Sequence, residues 1–169
     1  MKSTRSPIRL LAALALTLLL AASPAWAVDL PDDSDALAGL TSGKALFDIN
    51  IGVTPETFDA SMGKLGLYLD VIRQTHEGLV AQGVTPDIIV AVRGSAVTLV
   101  TDAASDTVKG LVTALAGMGV TFEACNVATA LTGTANDAIL PEIKVVGNTF
   151  ISAIGYGSDH KGYATIPIM

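Results

Sequence analysis

The chain has 169 residues, half of them apolar, with 10 basic and 16 acidic side chains for a formal charge of −6, two histidines and one cysteine. That acidity argues against nucleic acid and anionic membrane surfaces as partners, since both demand surplus Lys and Arg. A single cysteine excludes an intrachain disulfide, so the core alone must supply the stability, and the apolar content is ample for that.

Lys2, Arg5 and Arg9 open the chain with positive charge, "LLAALALTLLLAA" (10–22) follows as an apolar run, and "SPAWA" ends in the small-x-small motif Ala25-Trp26-Ala27. This order is the pattern of an export signal cleaved before Val28. The apolar run falls short of the ~20 residues that span a bilayer. No cysteine follows it for lipid attachment, and no adjacent arginine pair marks export in the folded state. The expectation is a signal peptide over 1–27 and a periplasmic protein with no membrane attachment after cleavage. The signal takes three of the ten basic residues and none of the acidic ones, so the remainder sets seven basic against sixteen acidic side chains, −9.

Residues 28–44, "VDLPDDSDALAGLTSGK", are polar, acidic and Gly/Pro-bearing, which predicts a flexible acidic lead-in to a single domain over 45–169. "ALFDINIG" (45–52) is β-compatible and reads as the first strand. Thr54 can cap a helix, Pro55 suits its first turn and Glu56 favours its positive end. Phe58, Met62, Leu65, Leu69, Ile72, His76 and Leu79 then recur at steps of four and three, one continuous helical face ending near Gln82-Gly83. "PDIIVAV" (86–92) is the β-branched run of a strand buried on both faces. In "RGSAVTLVTDAAS" propensity favours a strand over 97–101, while a short turn-helix is the alternative. Ser105 can cap a second helix striped by Val108, Leu111, Val112, Leu115 and Met118. "VTFEA" is a short strand, "CNVATALTG" a short helix, "PEIKVVGN" a strand, "FISAIGYGSDHKG" an irregular helix or loop, and "YATIPI" a final strand. This alternation predicts an α/β domain with a mostly parallel five-stranded sheet between helices. Chemistry in such sheets gathers beyond the carboxyl ends of the strands, here Asn50 to Val53, Arg93 to Ser95, Cys125-Asn126 and Gly147-Asn148.

Cys125 falls where a strand ends and a helix begins. A thiol there meets unpaired N–H groups and the positive end of the helix dipole, both of which favour thiolate. Arg93, at the end of the neighbouring strand, and Asn126 are the candidates to stabilise the anion. Two other readings stand beside it: a buried cysteine that only packs, and a thiol that forms an intermolecular disulfide or is oxidised to a sulfenic acid. The absence of C-x-x-C leaves a dithiol mechanism unsupported. His76 lies on the apolar helix face and His160 in a loop, and neither has metal-ligand spacing toward Cys125. "VRGSA" and "GYGSDHKG" match neither the P-loop nor the dinucleotide fingerprint. No cofactor and no metal is indicated.

"VAVRGSAV", "LAGMGVTFEACNVATALTG" with its cysteine in GVxFxxC, and the near-terminal "GYATIPI" together resemble the DsrE/DsrF-like family in its exported single-cysteine branch. The likeness covers roughly Ala45 to Met169. It implies a three-layer α/β/α fold and a homo-oligomer, trimeric or hexameric. It also implies sulfur relay, in which a cysteine accepts sulfane sulfur as a persulfide from a donor protein or small sulfur compound and passes it to an acceptor. Only Cys125 can take that role here.

Overall fold

The computed structural model describes residues 33–169; the expected signal peptide and the first residues of the lead-in, 28–32, lie outside the described residues. Five strands, β1 (Ser42–Ile49), β2 (Thr85–Val92), β3 (Thr121–Cys125), β4 (Ile143–Val146) and β5 (Ala164–Ile168), alternate with α2 (Phe58–Ala81), α3 (Asp106–Gly117), α4 (Asn126–Thr132) and α5 (Thr149–Tyr156), after a one-turn α1 (Ser34–Leu37). The strands form one sheet in the order β4-β3-β2-β1-β5 with every neighbouring pair parallel. The expected three-layer α/β/α fold is therefore what this chain adopts, with a sheet that is wholly parallel.

The topology decides which helix lies where. From β1 the chain steps to β2, β3 and β4 in one direction, so right-handed crossovers put α2, α3 and α4 on one face. It then returns past β1 to add β5 at the other edge, which sends α5 across the opposite face. Packing follows that division. Phe47, Ile49, Val90, Val92, Phe122 and Ala124 face the larger core with Leu65, Leu69 and Ile72 of α2 and Val108, Val112 and Leu115 of α3. Leu46, Ile89 and Ala91, the alternate positions, pack with Tyr163, Ala153 and Tyr156. Ile88 to Val92 are all buried, as a central strand covered on both faces requires.

Local signals explain most boundaries. Thr54 and Thr57 cap each other ahead of α2, and the Thr54 N–H donates to Thr57 Oγ1 at 2.9 Å. Ser105 caps α3 by accepting the Val108 N–H. Two boundaries differ from expectation. Ser42 to Lys44 belong to β1, paired with Thr85 to Asp87, rather than to the lead-in. Gly43 is polar-loop chemistry by sequence, but a Cβ there would press against the Leu79 methyls at 3.1 Å, so the residue is small because strand and helix approach closely. Residues Gly94–Val100 form a 3₁₀ helix, not a strand, and Ala96, Val97, Leu99 and Val100 are all buried. Enclosure on every side demands the same β-branched composition as a central strand, so propensity could not separate the two.

The smaller face holds a polar network over its apolar floor. Tyr163 donates to Asp87 Oδ1 at 2.7 Å and meets Tyr156 edge-on at 5.2 Å between centroids. Burial first, then the bond to Asp87, pushes the Tyr163 phenol up to about 12. The folded state thus favours the neutral phenol, and that contribution is complete below the ordinary phenol pKa of 10 and lost as pH rises toward 12.

Two outcomes test this packing. Leu65→Ala, at 0% exposure, should cost about 2–5 kcal/mol in urea unfolding, whereas Leu67→Ala, at 63%, should stay within about 0.5 kcal/mol. Tyr163→Phe should cost about 1–2 kcal/mol near neutral pH, and its difference from the parent protein should shrink between pH 10 and 12.

Candidate functional site

Because all five strands run the same way, their carboxyl ends share one edge. There the turns after β1, β2, β3 and β4 surround a cavity of about 330 Å³. Asn50, Arg93, Gly94, Ser95, Cys125 and Asn148 line it, drawn from each of the four strand ends singled out by sequence, together with Val127, Ala128, Leu131, Thr132, Thr149 and Phe150. The turns are tied to one another. Val53 N–H donates to Ser95 Oγ at 2.8 Å, and Arg93 N–H donates to Ile49 O at 3.0 Å. Gly94 takes a left-handed φ of +58°, and a Cβ there would collide with Asn50 Oδ1. The glycine of "VRGSA" thus serves a turn and a close approach.

β3 passes into α4 with no intervening residue, which makes Cys125 both the last strand residue and the helix N-cap. Its sulfur consequently faces the free N–H groups of Val127 and Ala128. A second helix start meets it from the other side. Asn148 caps α5 by accepting the Phe150 N–H at 2.9 Å, which leaves the Thr149 N–H free to turn toward the sulfur. The Thr149 hydroxyl is buried and has no hydrogen-bond partner among the described residues, and its influence also falls on Cys125. Burial pushes the thiol up, but the N–H groups of Thr149, Ala128 and Val127 and the Thr149 hydroxyl outweigh it and leave Cys125 below its ordinary value. Cys125 is 5% exposed, and it borders the cavity.

Arg93 shares the cavity with Cys125, but its charge is largely spent elsewhere. Its Nε and Nη2 both bond to the Asp48 carboxylate at 2.6 Å, and the Phe150 ring lies 4.7 Å from the guanidinium carbon. The bonds to Asp48 come first in holding Arg93 charged, and its attraction to Cys125 comes last. The expected cation is present; the main donors to the anion are backbone N–H groups. Asn126 is turned away: its Oδ1 accepts from Asn136 Nδ2 at 2.6 Å and braces the turn after α4. A residue at the first helical position points outward, so adjacency in sequence did not bring its side chain to the sulfur.

His76 bonds through Nε2 to Met118 O at 3.2 Å, and His160 sits in the exposed turn after α5. Both lie toward the amino ends of the strands, away from Cys125. Among the described residues no group of three or more His, Cys, Asp or Glu side chains is placed to hold a metal ion. Glu123, two residues before Cys125 on the same side of β3, is buried at 4% exposure. Tyr156 donates to its Oε1 at 3.2 Å, and Oε2 has no partner among the described residues. Neither Glu123 nor Thr149 stood out in the sequence. The signal for Thr149 was available in "GNT", an asparagine cap directly after a strand.

Alkylation of Cys125 should reach half its maximal rate at a lower pH than alkylation of a free cysteine, about 8.5. Thr149→Val, which keeps the N–H and removes the hydroxyl, should move that midpoint up and slow the reaction at pH 7. A midpoint at the free-cysteine value, unmoved by the substitution, would contradict the site as described. By the same linkage, thiolate formation adds stability that is full above the unfolded thiol's pKa and is lost as pH falls through the lower folded one.

No protein-family model matches the chain, and no curated protein matches it. A solved structure described as "Structure of Protein of Unknown Function MTH1491 from Methanobacterium thermoautotrophicum" is similar, with a TM-score of 0.58 and 21% identity over 75% of this chain and 100% of that one. The likeness is one of fold.

Proposed function

We propose that this is a periplasmic sulfur-relay protein of the DsrE/DsrF-like kind, carrying sulfane sulfur as a persulfide on Cys125. The observation that carries the reading is a thiol lowered by converging donors at the wall of a cavity. In the loading step the Cys125 thiolate attacks the outer sulfur of a persulfide or polysulfide donor. A new S–S bond forms, the donor's S–S bond breaks, and the donor leaves as a thiolate with the electron pair. In the unloading step an acceptor thiolate attacks the outer sulfur and Cys125 returns to thiolate. Neither step needs an external oxidant or reductant. The donors that favour the thiolate serve both, since the persulfide anion presents the same charge to the same N–H groups.

A single thiol suits a carrier, because no second cysteine exists to discharge it as an intramolecular disulfide. The outward side chains of α5, Ile151 and Ile154, are exposed apolar groups that support the homo-oligomer included in this reading. The competing reading is a non-catalytic oligomeric or ligand-binding module, and the low exposure of Cys125 favours it.

Polysulfide treatment followed by intact-mass measurement separates the two. The relay reading expects an adduct of about one sulfur on the native protein, absent from Cys125→Ser and removed by excess thiol. An equal adduct on Cys125→Ser, or a native protein left unmodified by polysulfide and by organic sulfane-sulfur donors alike, would establish the packing role instead.

A further inference from the structure

The cavity beside Cys125 has a chemical character of its own, and it bears on what donates the sulfur. Its volume of about 330 Å³ sits at the lower end of the range for small-molecule sites, roughly 300–1,000 Å³. Val127, Leu131 and Phe150 form apolar walls that stay exposed in the folded chain, Leu131 at 83% and Phe150 at 57%. Among the described residues Arg93 is the lone Lys or Arg of the lining. Asp48 already occupies two of its donors, and Phe150 lies against it. An incoming dianion would have to draw Arg93 away from Asp48 or shed water with no free countercharge, and both are costly. Thr149, 2% exposed with a buried hydroxyl that no other described residue bonds, lies in the lining together with Cys125.

Resting on the carrier reading above, we propose that the cavity takes an organic sulfane-sulfur donor, neutral or singly charged, whose apolar body of about phenyl size packs on Val127, Leu131 and Phe150. Small inorganic polyanions are poor donors at this site. For a thiosulfonate the step balances as follows: the Cys125 thiolate attacks the terminal sulfur, an S–S bond forms, the bond from that sulfur to the sulfonyl sulfur breaks, and a sulfinate leaves with the electron pair. Cys125 is left as a persulfide anion.

Three probes isolate the preference: benzenethiosulfonate, methanethiosulfonate and thiosulfate. The first two share charge and reacting group and differ only in the apolar body, whereas thiosulfate adds a second charge. Initial rates of single-sulfur loading on the full chain are read by mass, each divided by the rate with a free cysteine peptide. Benzenethiosulfonate should exceed methanethiosulfonate at least tenfold on this normalised scale, about 1.4 kcal/mol, with thiosulfate the slowest. Leu131→Ser, at a position too exposed to unfold the chain, should bring the aryl-to-methyl ratio toward one. A ratio near one in the native protein, an unmoved ratio in Leu131→Ser, or thiosulfate as the best donor overturns the proposal while the carrier reading stands. Failure of all three probes and of polysulfide to load Cys125 removes the carrier reading and this proposal with it.

Discussion

Parallel pairing throughout the sheet is the constraint from which the site follows. It forces every strand-to-helix turn to one edge, where helix starts expose N–H groups that no preceding carbonyl can satisfy. Two of those starts, at α4 and α5, meet at one sulfur because β3 and β4 are neighbours, β3 leading directly into its helix and β4 into its own after Gly147 and Asn148. The thiolate is thus held by backbone that the fold must place there anyway. Side-chain charge contributes little, since the nearest cation is matched by a carboxylate on the adjoining strand.

That ion pair shapes the cavity more than it charges it. Asp48 and Arg93 are partly buried, so each would be costly to leave alone, and the fork of two bonds fixes the guanidinium plane. Phe150 rests on that plane, and through it α5 is positioned against the end of β2. At the far end of the same helix Tyr156 is tied to Glu123 on β3. The helix that supplies Thr149 is therefore held at both ends by contacts to strands other than the one it follows.

Strand ends were legible in the sequence because their signals are local. "PDIIVAV" followed by Arg-Gly-Ser, and "VTFEA" followed by a helix-forming run, mark the turns without reference to anything distant. What escaped was decided at long range. Arg93 finds Asp48, 45 positions earlier, only because β1 and β2 pair. Asn126 turns to Asn136 because a first-turn side chain points outward. The helix over 149–156 was legible only as an irregular helix or loop because Gly155 weakens its propensity, while packing of Ala153 and Tyr156 on the sheet supplies what propensity lacks. Thr149 was missed because its N–H and hydroxyl reach the sulfur only once β3 and β4 pair.

The seamless passage from β3 into α4 has a consequence for how this chain can change over time. Strand side chains alternate faces, so one residue added or lost between Thr121 and Cys125 would exchange the two faces of β3. Ala124 would stand where the sulfur now is, and Glu123 would enter the apolar layer beneath α2 and α3. Length variation of that kind is absorbed without harm by the exposed turn between α5 and β5, where Gly162 already relaxes the backbone at φ +81°. Insertions and deletions should accumulate there and be purged from 121–128, so drift in loop length and constancy of spacing around Cys125 are two faces of one geometry.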